Sequence, residues 1–219
     1  MADIDIETTI SDVKLFLEKL RLDLPEIFSA PAQEEKQQKD MPAAPVSGKV
    51  LYCGKLLNCT ITLSDKIKEP ILIEENGELK IIINNPKENL PALAEKWIRQ
   101  QAKIILTKKI KETAEKMGVN FNNIFIKDQK TLWASCSSKN NLNFSYRILK
   151  TPPVVQDYLI VHELAHLIHF NHSAEFWAEV AKYVPDYKEQ RKWLNANRYA
   201  VMAQTDIKYI APQEDKADA

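Results

Sequence analysis

The spacing of apolar positions changes several times along the chain, and each change marks an element. Residues 10–21, ISDVKLFLEKLR, carry apolar side chains at helical spacing behind an acidic lead, so 1–28 reads as an acidic, amphipathic helical arm. Residues 29–48, SAPAQEEKQQKDMPAAPVSG, lose that spacing and read as a flexible linker. A folded domain is expected from Lys49 to about residue 203. Residues 49–83 are β-branched and apolar, and Asn76-Gly77 between two apolar runs is a strong hairpin signal. Helical spacing then runs from about Pro91 to Met117, with Gly118 as its stop. Three short strands are expected at 123–127, 130–136 and 141–148. Pro152-Pro153 opens the next helix, and two more follow at about 173–183 and 186–203. Residues 204–219 read as a loose tail. Runs of strands followed by runs of helices predict an α+β fold: a small, mostly antiparallel sheet packed on the long helix and on the helix after Pro153.

Composition narrows the function classes. Lys+Arg and Asp+Glu balance at 30 each, so no overall charge draws the chain to nucleic acid or to an anionic membrane. The long helix carries Lys96, Arg99, Lys103, Lys108, Lys109, Lys111 and Lys116. Without interleaved aromatic residues this reads as a solvated face, and nucleic acid is not an expected partner. The acidic start does not resemble a secretory signal, and no apolar run approaches the roughly 20 residues that span a bilayer, so the reading is cytoplasmic. Cys53, Cys59 and Cys136 form no CxxC pair and are expected to be reduced. The four glycines form neither a dinucleotide nor a P-loop motif.

All four histidines fall within VHELAHLIHFNHSAEFW, residues 161–177. His162 and His166 are one helical turn apart on one face, with Glu163 beside them: the HExxH pattern of zinc hydrolases. A catalytic zinc takes three protein ligands and keeps one position open. His169 lies about 10 Å along a helix axis from His162, too far to share an ion. His172 can reach it if the helix ends near Phe170 or Asn171 and the chain turns back, a spacing similar to that of metzincins. The expected ligands of one Zn2+ are therefore His162, His166 and His172, with Glu175 or Glu179 as rival third ligands and Glu163 as general base. Ser173 is expected to cap the next helix. Arg147, Tyr146, Tyr187 and His169 are candidate donors to the oxyanion or contacts to substrate, and a peptide strand is expected beside residues 141–147. Asp157 reads as a charge at a helix start, and Trp133, Phe176 and Trp177 as packing around the histidine helix.

The stretch 129–194 resembles the YgjP-like metallopeptidase family, which is related to the SprT-like minimal zincins. The resemblance is carried by Trp133-Ala134-Ser135-Cys136-Ser137, Pro152-Pro153, Asp157-Tyr158, His162 through Ser173, Phe176-Trp177, Pro185-Asp186-Tyr187 and Trp193-Leu194. It implies a zincin-like minimal metalloprotease fold and peptide or protein substrates. Ala134 stands where the family usually has Gly, and Leu132 where a basic residue is common. Residues 1–48 are set outside the resemblance and read as a flexible tether, with a partner-binding arm or a lid over the cleft as alternatives.

The expected function is a zinc-dependent metallopeptidase. One alternative is a hydrolase of another bond, such as a nucleotide phosphoanhydride. The other is an adaptor with a structural zinc, against which the poised Glu163 argues. Cysteine nucleophilic catalysis through Cys136 has no support beyond the presence of both residue types.

Overall fold

The computed structural model describes residues 46–203 and 205–209, together with Glu18 and Leu22. The expected helix at 10–21 and nearly all of the expected linker lie outside the described residues, apart from those two positions and 46–48. No helix among the described residues is long and apolar enough to cross a membrane.

Among the described residues, eight strands form two sheets. They are β1 (Val46–Tyr52), β2 (Lys55–Leu63), β3 (Ile71–Glu75), β4 (Glu78–Ile83), β5 (Asn123–Lys127), β6 (Ala134–Cys136), β7 (Asn141–Ser145) and β8 (Asp206–Tyr209). The first sheet has the order β3-β4-β2-β1-β8 and the second β5-β7-β6. The α+β class stands, but the expected single sheet is two. Most pairings are antiparallel, and each sheet holds one parallel pair, β2 with β4 and β5 with β7. The first arises because β3 is passed over to the edge, so that its hairpin partner β4 returns beside β2.

Both hairpin turns of the first sheet follow from local chemistry. Asn76 and Gly77 have φ of 54° and 80°, the left-handed pair that a two-residue turn needs. Cys53 and Gly54 do the same at 48° and 77°. This second turn also docks. Cys53 N–H donates to Leu149 O at 2.8 Å and Gly54 N–H to Lys150 O at 3.0 Å. A Cβ on Gly54 would lie 2.8 Å from Pro152 Cα, so only glycine allows this approach.

From residue 46 onward the described α-helices are α1 (Leu90–Met117), α2 (Pro153–Ala165), α3 (Ala174–Tyr183) and α4 (Tyr187–Met202). Asn89 caps α1 through its side-chain oxygen, and Gly118 ends it in the left-handed conformation. Ala94, Ile98, Ala102, Leu106, Ile110 and Ala114 recur at intervals of four or so and are buried along one stripe. That stripe packs in one core with Leu142 and Phe144 of β7 and Leu159, Ile160 and Leu164 of α2.

Two expectations are corrected. The strand expected over 141–148 ends at Ser145, and Tyr146–Lys150 coils into a 3₁₀ turn. The turn carries Lys150, 2% exposed, to Glu95 of α1 at 2.6 Å, where Tyr146 Oη also donates at 2.7 Å. Within the tail expected to be loose, Asp206–Tyr209 form β8, antiparallel to β1 with Val46 opposite Tyr209, and residues 210–219 lie outside the described residues. Thr205, just before β8, donates to Glu95 through both its backbone N–H and its hydroxyl. Strand β1, paired with β8, already runs from Val46, ahead of the start expected near Lys49. All three cysteines are free thiols.

Candidate functional site

The site forms where α2, α3 and β6 meet. Helix α2 ends earlier than expected, at Ala165, and a tight turn follows in which Ile168 and His169 both donate N–H to Ala165 O. Leaving the helix so early gives the chain room to reverse before His172. Ser173 then caps α3 by accepting the Phe176 N–H at 3.4 Å. The reversal brings His172 back over the helix. Its Nε2 lies 3.0 Å from His162 Nε2, and one ligand atom from each of His162, His166 and His172 lies within 4.8 Å of the others.

Phe176 is the floor of this group. It is fully buried, and its ring centre lies 5.0, 4.6 and 4.8 Å from those of His162, His166 and His172. Trp177 stacks on His172 at 5.6 Å and on Tyr187 at 4.9 Å. The apolar surroundings have an electrostatic result. Burial, reinforced by the neighbouring imidazoles and by Arg191, lowers the His162 pKa to about 3. Burial also lowers that of His166, against the pull of the His169 carbonyl. His162 and His166 are thus neutral near pH 7, the form in which imidazole binds a metal.

The donor set fits zinc. Two nitrogens on a tetrahedral zinc stand roughly 3.3 Å apart for bonds of about 2.0 Å, close to the His162–His172 separation. His166 Nδ1 lies 3.1 Å from His169 O, so it carries the proton and leaves Nε2 for an ion. His169 therefore contributes its backbone carbonyl rather than its ring. Glu175 and Glu179 are not in the group, and Glu179 is held by Lys182 at 2.5 Å.

Glu163 is 5% exposed at the edge of the second sheet. Burial raises its carboxyl to about 8, against the backbone N–H of Cys136, which donates to it. Burial and the nearby Glu163 both push the Cys136 thiol up, which disfavours a thiolate nucleophile.

Other expected contacts fall elsewhere. Arg147 is buried in an ion pair with Asp128, which Arg99 also holds at 2.5 Å. Both guanidinium groups lie against the Tyr146 ring, 4.6 and 4.5 Å from its centre, with its hydroxyl on Glu95. Neither polar group is brought to the histidines, because the 3₁₀ turn faces α1. Tyr187 does reach the group, through Trp177. Asp157 pairs with Lys109 of α1 at 2.7 Å. The peptide strand expected beside 141–147 has no free backbone there, since β7 is central, flanked by β5 and β6. The edge beside Glu163 belongs to β6. Sequence reasoning also missed Arg191, whose guanidinium lies 5.5 Å from the Trp177 ring centre. Its one advance signal was its place on the helix after Pro185-Asp186-Tyr187.

Comparison with known proteins gives three results. The crystal structure of the metallopeptidase zymogen of Pyrococcus abyssi abylysin is 23% identical and overlaps 42% of this chain and 93% of its own, with a TM-score of 0.38. That likeness is too slight to carry an argument. No match was found among curated proteins. The model of the YgjP-like metallopeptidase domain matches residues 6–197, reaching back across most of the segment that the motifs left outside the resemblance. The match spans most of the sequence, and the chain belongs to the YgjP-like metallopeptidase family.

Proposed function

We propose that the chain is a zinc-dependent peptidase acting on peptides or proteins, with His162, His166 and His172 holding one Zn2+ and Glu163 as general base. The observation that carries this reading is the convergence of three imidazole ligand atoms over Phe176, with the carboxyl of the adjoining Glu163 buried. When bound, zinc supplies a Lewis acid that polarises a carbonyl and lowers the pKa of water toward 7.

The chain's own groups do the rest. The protein fixes the imidazoles by packing them on Phe176 and by tying His166 Nδ1 to the His169 carbonyl. Glu163 takes a proton from the attacking water on a carboxylate oxygen and passes it to the leaving amine. Its carboxyl, near 8 without metal, is drawn down beside a dication into the range where a base can both accept and release a proton. The Cys136 N–H holds that carboxylate on the side of the exposed β6 edge, where a substrate backbone can pair. Tyr187 and His169 remain candidate contacts to the oxyanion or substrate.

The test is incubation of the zinc-loaded protein and its Glu163→Gln variant with a peptide library and a nucleotide panel, read by mass spectrometry. Peptide products from the parent alone are expected. Nucleotide products alone would move the chemistry to phosphoanhydrides. No Glu163-dependent product in either panel would refute the catalytic reading.

A further inference from the structure

One charged side chain approaches the histidines from outside their own segment: Arg191 of α4. Its guanidinium carbon lies 5.5 Å from the centre of the Trp177 ring, which in turn lies 5.6 Å from the His172 ring and 5.7 Å from the His162 ring. Among the described residues no carboxylate pairs with it. The acid one turn and a half before it, Asp186, is engaged by the Gln190 amide at 2.5 Å.

This placement needs a physical reason. Three neutral imidazoles leave the double charge of a bound zinc uncompensated. A second cation beside such a centre is repelled by it, which favours an anion between the two. Arg191 is exposed and its guanidinium rests beside the Trp177 ring, so it is open to an anion arriving from solvent. The planar fork of Arg matches a carboxylate, to which it donates two parallel hydrogen bonds. The distance sets which carboxylate. The oxyanion of a scissile carbonyl would sit about 2 Å from a metal, whereas Arg191 stands one aromatic ring beyond the imidazoles. That offset suits a group one or two residues along an extended substrate, at about 3.3 Å per residue.

We propose that Arg191 is a specificity residue of this site, binding a substrate carboxylate one or two residues from the scissile bond. The proposal rests on the reading of the histidines as a zinc site. It selects acidic peptides, through either an acidic side chain or a free C-terminal carboxylate.

The experiment separates the two readings by direct binding rather than turnover. Zinc-loaded parent, Arg191→Gln and Arg191→Lys proteins are titrated calorimetrically with acetohydroxamate and with succinic monohydroxamate. Both probes chelate zinc, and only the second carries a carboxylate. In the parent the carboxylate should improve affinity about tenfold or more, as expected for a charge-assisted pair. Arg191→Gln should remove that gain and leave acetohydroxamate binding within about twofold, and Arg191→Lys should restore part of it. The proposal is overturned if the carboxylate brings no gain in the parent, or if Arg191→Gln keeps the gain. If acetohydroxamate itself does not bind the zinc-loaded parent, the metal reading fails and takes this proposal with it. Two peptides then identify the source of the anion, one with an internal Asp and an amidated end, one neutral with a free end, each bound to zinc-loaded Glu163→Gln protein. The peptide whose affinity falls when Arg191→Gln is added carries the recognised carboxylate. Equal affinities for both peptides with and without Arg191→Gln would overturn the proposal for peptides.

Discussion

Replacing Glu163 by Gln should stabilise the metal-free protein, and by an amount that grows with pH. In the fold the Glu163 carboxyl is raised from an ordinary 4.5 to about 8 because it is buried. The sign follows from linkage. A raised group contributes its stability in full below pH 4.5, and that contribution is lost as pH rises through 8. Each tenfold change in proton affinity corresponds to about 1.4 kcal/mol, so the parent loses about 3 kcal/mol by pH 7 and about 5 kcal/mol by pH 9 from this one group. Gln keeps the shape and can still accept the Cys136 N–H, but does not titrate. The assay is urea unfolding of both metal-free proteins from pH 4 to 9, read as the difference between them, so that histidine titrations common to both cancel. The difference should be small at pH 4 and should level off above pH 8. Added zinc should shrink it, since a nearby dication favours the carboxylate. A difference that does not change with pH in the metal-free proteins would refute the buried, protonated carboxyl and the argument for a poised base.

Four further outcomes follow from the structure. Substituting His162, His166 or His172 by Ala should each reduce bound zinc from about one per chain to near none, measured by elemental analysis after dialysis, whereas His169→Ala should retain it. Phe176→Ala should cost about 3–5 kcal/mol in chemical unfolding and weaken zinc binding as well, because the ring supports all three imidazoles. Glu95→Gln should cost about 3–5 kcal/mol at pH 7 by leaving Lys150 buried without its anion. Burial alone would raise Glu95, but its hydrogen bonds to Lys150, Tyr146 and Thr205 outweigh that and hold its carboxyl below the usual value. The stabilisation it gives is therefore present above pH 4.5 and lost as pH falls through that depressed value, so parent and variant should converge in acid unfolding. Gly54→Ala should destabilise by about 2 kcal/mol or more in thermal melts, since a left-handed backbone and the contact with Pro152 both oppose a Cβ.

Much of the fold could be read where the signal was local. Pro91 and Gly118 mark the ends of α1 because such signals act within a turn of the chain. Asn76-Gly77 marks its hairpin for the same reason. The histidine group was legible because helical spacing already places His162 and His166 on one face, and because only a reversal can return His172. What could not be read depended on partners distant in sequence. The 3₁₀ turn at Tyr146–Lys150 exists to meet Glu95, 55 residues away from Lys150, so Tyr146 and Arg147 face α1 rather than the imidazoles. Strand β8 is defined by β1 at the other end of the domain. Arg191 looks, in sequence, like any exposed helical arginine, and its meaning comes from Trp177 on a different helix.

The pairing of Val46 with Tyr209 has a consequence for architecture. Paired residues on neighbouring strands are about 5 Å apart, so residues 46 and 209 lie side by side at one sheet edge. Sequence before residue 46 and sequence after 209 leave from the same corner. A short bridge could therefore join them while new termini are cut in a surface loop, such as the one between β6 and β7. The same corner would let the domain be set into a loop of another protein without spreading that loop's ends.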